Sequence, residues 1–382
     1  MSRNGVASYY GSETFCLGEM IMDSFYKINT YGGKNSNLLI WGENYQVLKL
    51  LKNKYKQKIQ CIYADPPYNT CQSFDGFNDS LSHRKWVRMM RKRLKGMGVA
   101  LVTPFTKTGE VDYPTLEKLV QMHIDCGTAF LCVQGTTAET PTLTIEEKRE
   151  IRKRIIKQVD GRMPIMLGVG GNCTRAVVEE LKTEDFTGVD AILSVAPYYN
   201  KPVQEGIYQH YKAIAEATEL PIYMYNVPGR TGVNILPSTV VRLANDCPNI
   251  VGYKAASGNL AQVKELVSKK PAHFDVFSGD DGLTVDIMEA GGVGVISVFG
   301  NAFPKQMTKL VQAMQEGRVG DARNIHGRLN ELFQLIFVDG NPSGIKALME
   351  ILGMLENNLR LPLVPACDDT YSDLQQAITF LG

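Results

Sequence analysis

The chain of 382 residues has few of the features that mark membrane, secreted or metal-binding proteins. It contains no run of about eighteen consecutive apolar residues, so we expect no membrane-spanning helix and no membrane partner. Its first ten residues, MSRNGVASYY, contain no apolar signal core, and we therefore expect a cytoplasmic location. The eight cysteines form no CxxC pair, which in a cytosolic chain indicates reduced thiols rather than disulfides or a zinc site.

The sequence does have the composition of an ordinary globular protein, with 44% hydrophobic and 21% charged residues. Its length suggests one large domain with an extension. Charge is distributed unevenly, since residues 1–95 hold 15 Lys and Arg against 7 Asp and Glu, whereas the remainder holds 26 against 33. A basic segment can bind nucleic acid, although a solvated charged surface would show the same excess.

From Gly98 onward, short apolar runs alternate with amphipathic stretches. The runs are too short for buried helices and rich in β-branched or aromatic residues, which predicts parallel strands buried on both faces. They span residues 98–104, 129–133, 164–169, 191–197, 221–228, 249–255, 274–280 and 293–298. Eight such strand–helix units predict an α/β fold, a (β/α)8 TIM barrel. The alternative is an open doubly wound sheet, but no GxGxxG follows the first strand.

The stretches between and after these strands have helical patterns. Thr144 precedes one of them and Glu147 follows three residues later, which is the signature of a capping box. After Phe303 the pattern is helical to the end of the chain, so we predict a C-terminal helical region. Residues 1–94 do not show this alternation of strands and helices. We therefore place the domain boundary near Lys95, with the barrel domain at 95–382.

A lysine ends the sixth predicted strand, at the edge where such barrels carry their catalytic groups. Lys254 lies in an otherwise apolar run, and facing inward it would be desolvated. Desolvation favours the neutral amine, which attacks carbonyl groups. The alternative is a lysine that extends from the strand end into solvent.

Hydroxyl groups are predicted on the same face as this lysine. They belong to Thr136, Tyr199 and Tyr225, and could relay the protons of an imine mechanism, although tyrosines also serve in packing. The small residues 135–137 would let backbone N–H groups approach a carboxylate. Arg230 could hold a second carboxylate with two hydrogen bonds, or form a surface salt bridge. The sequence contains no cluster of His, Asp and Glu that could bind a metal, so we do not expect a metal-dependent aldolase.

Five motifs in this region resemble those of the dihydrodipicolinate synthase / N-acetylneuraminate lyase family. They are GTTAET, APYYNKP, YNVPGRTG, GYKAASG and SGDD, and they occur in family order across residues 95–382. The resemblance implies a class I lyase that forms a Schiff base with pyruvate and needs no cofactor or metal. The paired threonines and the arginine resemble the synthase branch, which condenses pyruvate with aspartate semialdehyde in the diaminopimelate pathway to lysine. It also implies a homotetramer, built as a dimer of dimers.

The resemblance assigns a role to each matching residue. Lys254 would form the imine, Tyr225 would donate and accept protons, and Thr136 and Tyr199 would complete the relay, with Tyr199 entering the site of a neighbouring subunit. Thr136 and Thr137 would bind the carboxylate of pyruvate, and Arg230 would bind the carboxylate of aspartate semialdehyde. Gly279 and Ile296 would line the site through their backbones.

Two positions depart from the family pattern, and both lie near the implied site. Ala138 replaces a usual glycine, and Ala255 replaces the glutamate that usually follows the lysine, which puts the rate in question but not the reaction class. Two alternatives stay open. One is a related pyruvate lyase or aldolase acting on a sugar acid, such as N-acetylneuraminate or a 2-keto-3-deoxy acid. The other is a nucleic-acid-binding or DNA-methylating protein.

The family resemblance also bears on regulation by lysine. In lysine-sensitive members, a histidine pair and a glutamate help to bind lysine at the dimer interface. The matching positions here are Ile145, Lys148 and Ala176, while Asn172 and Tyr198 retain the family residues. We therefore expect little or no inhibition by lysine.

The N-terminal segment carries a motif of a different kind. Asp65-Pro66-Pro67-Tyr68 follows the run LLIWGENYQVLKLL, and together they resemble the start of an adenine-specific DNA methyltransferase, although a proline-containing turn would look alike. Cys71 stands where glycine is usual, and no glycine-rich cofactor loop follows. We interpret residues 1–94 as a truncated α/β methyltransferase-like segment and expect neither DNA binding nor methyl transfer.

Overall fold

The computed structural model describes residues 94–379 in full and, before them, the backbone of four short strands. The chain divides into two units, Met1–Met90 and Arg91–Gly382. In the first unit, Lys27–Tyr31 pairs with Asn37–Trp41 and Ser73–Phe74 pairs with Phe77–Asn78, both antiparallel. The predicted methyltransferase-like motif at 65–68 lies outside the described residues.

The second unit contains eight parallel strands that close into a barrel, which confirms the predicted fold and excludes the open sheet. Each strand pairs with the next along the chain, and β8 pairs with β1. The strands are β1 Gly96–Ala100, β2 Phe130–Val133, β3 Ile165–Gly168, β4 Ala191–Val195, β5 Ile222–Asn226, β6 Ile250–Ala255, β7 Asp275–Ser278 and β8 Gly294–Ser297.

Several strands end earlier than the apolar runs predicted. The first was predicted over 98–104 but ends at Ala100. Just beyond it, the Val102 amide donates to the side chain of Asn301 at 3.1 Å instead of to a neighbouring strand. Apolar residues therefore continue past the strands because the loops that leave the barrel are themselves buried.

Helices follow the strands and cover the outside of the barrel. The predicted capping box is confirmed, since Thr144 accepts from the Glu147 amide at 3.1 Å and the Glu147 carboxylate accepts from the Thr144 amide at 2.9 Å. The helices are α1 Tyr113–Asp125, α2 Ile145–Val159, α3 Thr174–Thr183, α4 Gln204–Glu216, α5 Pro237–Asp246, α6 Leu260–Lys269, α7 Thr284–Glu289 and α8 Pro304–Gln315.

Aromatic side chains fill the barrel interior. Phe277 makes edge contacts with Phe130 and Tyr223, with ring centroids 5.4 and 5.8 Å apart. Glycines make room for these rings, because a Cβ on Gly98 would lie 2.2 Å from the Phe130 ring and one on Gly252 would lie 2.3 Å from the Tyr223 ring. Each buried ring contributes roughly 1.5–3 kcal/mol, so the interior is a packed core that confines the site to the rim.

Three further helices form the predicted C-terminal helical region: α9 Val319–Leu335, α10 Ser343–Ile351 and α11 Asp368–Thr379. Phe333 of α9 packs edge-on against Phe299, with centroids 4.9 Å apart, and so joins this region to the loop after β8. Between residues 94 and 379, no helix is both long and apolar enough to cross a membrane.

Candidate active site

Lys254 lies near the carboxyl end of β6, between Tyr225 of β5 and Phe277 of β7 in the strand register. Its exposure is only 4%, so the side chain is buried rather than extended into solvent. The nitrogen Nζ lies 4.3 Å from the centroid of the Tyr225 ring. Among the described residues, none forms a hydrogen bond or ion pair with this amino group. A buried amine beside a phenol is thus the central feature of this rim.

Gly279 lies directly against the lysine side chain. A Cβ at this position would be 2.9 Å from both Cγ and Cε of Lys254 and 3.0 Å from the carbonyl oxygen of Ala255. The Gly279 amide donates to that same carbonyl at 2.7 Å. Glycine is therefore required here by the close approach of the lysine. Ala255 is itself 2% exposed.

The interior beneath the amine is apolar. Ile296 of β8 is fully buried and packs in one cluster with Tyr225, Phe277 and Cys132. Burial raises the pKa of the Cys132 thiol to about 11, and the charge of Lys254 opposes that shift. Cys132 is therefore an uncharged neighbour of the lysine.

The two acids of the SGDD motif have structural contacts. Asp281 is 1% exposed and accepts from the Ser297 hydroxyl at 2.5 Å and from the amides of Val298 and Phe299 at 3.0 and 2.9 Å. Asp280 accepts from the Gly282 amide at 3.0 Å. Burial raises the pKa of both carboxyl groups, and their hydrogen bonds oppose the shift. These acids organise the loops after β7 and β8.

The paired threonines form a short 3-10 turn, Thr136–Ala138, directly after β2. Thr136 is half-buried and borders a cavity at the rim, whereas Thr137 is 2% exposed. The Thr137 hydroxyl accepts from the side-chain amide of Asn341 at 2.9 Å. The carbonyl of Ala138, the departure from the family glycine, accepts from the Thr103 hydroxyl at 2.8 Å.

Arg230 lies in a single helical turn, Pro228–Thr231, that follows β5. Its Nη2 donates to the backbone carbonyl of Asn341 at 3.0 Å. Within residues 94–379, Arg230 has no salt bridge. The guanidinium is thus anchored at one nitrogen, and its other donors are available to a ligand.

A cavity of about 460 Å³ brings three of the predicted residues together, namely Thr136, Tyr225 and Arg230. The other predicted residues Thr137, Lys254, Gly279 and Ile296 are not among the residues of its wall. In the part of the chain that the structure describes, no three His, Cys, Asp or Glu residues are grouped to hold a metal ion.

Tyr199 stands apart from this cavity. It is 84% exposed, and its φ of 74° is in the left-handed region that non-glycine residues rarely adopt. Its amide donates to the Thr231 carbonyl at 3.3 Å, so the backbone is fixed although the ring is free. Within one chain this tyrosine does not reach the cavity.

Three residues that border or support this site were missed by sequence reasoning. Asn341 lies in the cavity wall, is 6% exposed and bonds to both Thr137 and Arg230. Glu139 and Lys346 form a buried ion pair behind the threonine turn. Glu139 lies inside the quoted GTTAET motif, whereas nothing in the local sequence distinguishes Asn341 or Lys346.

Comparison with known proteins gives consistent matches over this region. The sequence model of the dihydrodipicolinate synthetase family matches residues 93–381. A 4-hydroxy-tetrahydrodipicolinate synthase of Phocaeicola vulgatus is 56% identical over 293 residues, covering 77% of this chain and 99% of the relative. One from Parabacteroides distasonis is 56% identical over 289 residues, covering 76% and 97%.

Solved structures match in the same way. The dihydrodipicolinate synthase of Thermotoga maritima superposes with a TM-score of 0.74 at 42% identity, covering 76% of this chain and 99% of that one. The chloride-inhibited enzyme of Acinetobacter baumannii, solved as a complex with pyruvate, gives the same TM-score, identity and coverage.

Proposed function

This chain belongs to the dihydrodipicolinate synthetase family, and we propose that Lys254 carries its reaction, the condensation of pyruvate with L-aspartate 4-semialdehyde to 4-hydroxy-tetrahydrodipicolinate. The observation that carries this assignment is the 4% exposed amine, without an ion-pair partner in residues 94–379, beside the Tyr225 ring. The enzyme is a lyase of diaminopimelate and lysine biosynthesis.

The chemistry begins at the amine. Lys254 adds to the ketone carbon of pyruvate, and the carbinolamine loses water to give an imine. Loss of a methyl proton gives an enamine, whose carbon bonds to the aldehyde carbon of the second substrate while the aldehyde oxygen takes up a proton. The amino group of that substrate then displaces Lys254 from the imine carbon, which closes the ring and frees the lysine.

Hydroxyl groups would move the protons of these steps. Tyr225 is supported as the first relay because its ring lies against Nζ and borders the cavity. Thr136 borders the same cavity. Tyr199, which is 84% exposed, is proposed to complete the relay from a neighbouring subunit. A hydroxyl can accept and donate in turn, which suits a site that must both remove and return protons.

Two carboxylates must be held at opposite ends of the reacting atoms. Thr136 and Thr137 would bind the carboxylate of pyruvate through hydroxyl and backbone donors. Arg230 would bind the carboxylate of aspartate semialdehyde, since its guanidinium borders the cavity and is tethered at only one nitrogen. Gly279 and Ile296 are proposed to line the site, Gly279 by leaving space for the lysine.

The proposal includes no resident cofactor, because the imine nitrogen itself accepts the electron pair released from the methyl group. It also includes a homotetramer, which the family resemblance implies; the 84% exposure of Tyr199 supports its contact with a neighbouring subunit. A cytoplasmic location is part of the proposal too.

The test is a product assay on the full chain. Pyruvate and aspartate semialdehyde should together give 4-hydroxy-tetrahydrodipicolinate, detected by mass spectrometry and by reduction in a coupled assay. N-acetylneuraminate and 2-keto-3-deoxy acids, supplied alone, should release no pyruvate at a comparable rate. Faster cleavage of a sugar acid than synthesis of the heterocycle would contradict the assignment.

A further inference from the structure

The turn that carries the paired threonines is flanked by two residues in the left-handed region. Gln134 has a φ of 56° and Glu139 has a φ of 53°, and neither is glycine. This conformation is disfavoured for residues with a Cβ, so it persists only where the surroundings enforce it. The Glu139 backbone also closes the turn, because its amide donates to the Thr136 carbonyl at 3.1 Å. The position of Thr136 therefore depends on what holds Glu139.

The Glu139 side chain is held by the C-terminal helical region. Its Oε1 accepts from Nζ of Lys346, in α10, at 2.5 Å, and both side chains have 0% exposure. Its Oε2 accepts from the Arg360 amide at 3.0 Å. Both carboxylate oxygens are thus satisfied by residues more than 200 positions away, which fixes the carboxylate on both sides.

Lys346 is itself fixed by several contacts. It donates to the Asn358 carbonyl at 2.9 Å, and its Nζ lies 4.3 Å from the centroid of the Phe105 ring. Burial lowers the pKa of Lys346 to about 8, and the charges and hydrogen bond of Glu139 oppose that shift. The lysine therefore stays charged at neutral pH with the help of Glu139.

The same region also reaches the rest of the turn. Asn341 donates to the Thr137 hydroxyl at 2.9 Å. On the far side, Arg360 donates to the Thr142 carbonyl at 3.0 Å and pairs with Glu147 of the α2 capping box. Residues 341–360 of the C-terminal helical region therefore contact both the threonine turn and the residues that follow it.

We propose that the buried Glu139–Lys346 ion pair is a positioning device for the pyruvate carboxylate site. It holds Glu139 in the left-handed conformation and thereby sets the Thr136–Ala138 turn at the distance from Lys254 that pyruvate requires. Glu139 borders the cavity, but both of its carboxylate oxygens are already bonded, to Lys346 and to the Arg360 amide. Glu139 and Lys346 are therefore positioning residues, because their charged groups are buried in the pair. This inference rests on the proposed function of the site.

If the ion pair had only a structural role, removing both of its charges would leave KM for pyruvate unchanged. Replacing both partners of a buried pair by uncharged side chains of similar size often leaves stability unchanged, because the cost of desolvating two charges disappears. Removing one partner leaves an uncompensated buried charge and is strongly destabilising. The informative variant is therefore the double substitution Glu139→Gln with Lys346→Met.

The experiment compares the wild type, this double variant and a control with a surface pair removed in the same way, Glu265→Gln with Lys269→Met. The control pair joins two exposed side chains of α6 at 2.7 Å. Melting temperature, kcat and KM for each substrate are measured, together with borohydride trapping at saturating pyruvate. We expect the double variant to fold and to form the Lys254 adduct, with KM for pyruvate raised roughly tenfold to a hundredfold because the carboxylate site is misplaced.

In the same variant, KM for aspartate semialdehyde should change by less than about threefold, since Arg230 and its anchor are untouched, and the control should match the wild type throughout. An unchanged KM for pyruvate in a folded double variant would overturn the proposal. So would equal increases for both substrates. If the double variant fails to fold, Glu139→Asp keeps the charge but shortens the side chain, which withdraws the carboxylate from Lys346. It should still raise KM for pyruvate alone; no change would again overturn the proposal. Failure of the proposed function is a separate outcome, because the wild type itself would then make no product.

Discussion

Lys254 in the sixth strand and Lys346 in the C-terminal helical region are both buried, at 4% and 0% exposure, but their surroundings differ. Lys346 has a carboxylate partner, a carbonyl partner and a ring beside it. Lys254 has the ring of Tyr225 beside it and, among the described residues, neither a hydrogen bond nor an ion pair. Gly279 leaves room for the Lys254 side chain and has no side chain that could act as its partner.

The comparison shows that burial and the presence of a charged partner are separate features of a lysine. The amino group of Lys346 is held in an ion pair with a carboxylate, whereas that of Lys254 has no such partner among the described residues and can contact a substrate carbonyl. Lys346 therefore serves as a fixed cation that holds a turn, and Lys254 is suited to act as a nucleophile. The predictions below test this division.

The largest effect is expected at Lys254. Lys254→Arg keeps a long side chain that ends in nitrogen at the end of β6 but removes the primary amine, so kcat should fall by a factor on the order of 10³ or more, because the covalent route is lost. Steady-state rates and circular dichroism should be measured together. The control is Lys269→Arg on the surface of α6, which should leave both unchanged. Activity of the Lys254 variant within about tenfold of wild type would contradict the assigned nucleophile.

The next effect is expected at Tyr225. Tyr225→Phe keeps the ring beside Nζ and removes only the hydroxyl, so kcat should fall by roughly 10²–10⁴-fold, the usual contribution of a positioned acid–base group. KM for either substrate should change little. Tyr253→Phe is the matched control, since this buried tyrosine lies on β6 and its hydroxyl accepts from Gln262 at 3.4 Å. Equal losses in the two variants would show that Tyr225 acts only by packing.

Arg230 should show a smaller and more selective effect. In Arg230→Ala, a bidentate charge-assisted contact worth roughly 2–4 kcal/mol is lost, so KM for aspartate semialdehyde should rise by about 30-fold to 1,000-fold. KM for pyruvate should change far less, and kcat should fall. Arg242→Ala, which breaks an exposed pair with Glu205 at 2.6 Å, should leave both KM values unchanged. Similar increases in both KM values would argue against the role of Arg230.

The smallest effect is expected from added lysine. Lys148 borders the same cavity as Tyr198, and Ala176, where relatives would have an acid, is exposed. Burial raises the pKa of Glu180, and the charge of Lys148 opposes that shift. A bound lysine would thus meet the like charge of Lys148 without the acid that helps to bind it in lysine-sensitive members of the family. Initial rates should stay constant up to millimolar lysine; strong inhibition below one millimolar would contradict this.

The barrel could be predicted because parallel strands buried on both faces appear in the sequence as apolar runs. The strand ends could not, since buried loop residues such as Val102 continue the same pattern. Lys254 and Tyr225 were found because strand ends are where barrel sites form, and their roles stay predictions. The contacts of Glu139 and Asn341 span 207 and 204 residues, and such pairing leaves no signal in local sequence. Sequence reasoning therefore missed the residues that support the site, although it identified the groups that are predicted to react.

The most direct test of the difference between the two lysines is chemical trapping. The full chain is incubated with pyruvate, reduced with borohydride and digested, and the modified peptide is identified by mass spectrometry. The account predicts a reduced pyruvate adduct on Lys254, none on Lys346, and no adduct in Lys254→Arg. An adduct on another lysine, or no adduct in an enzyme that makes product, would contradict it.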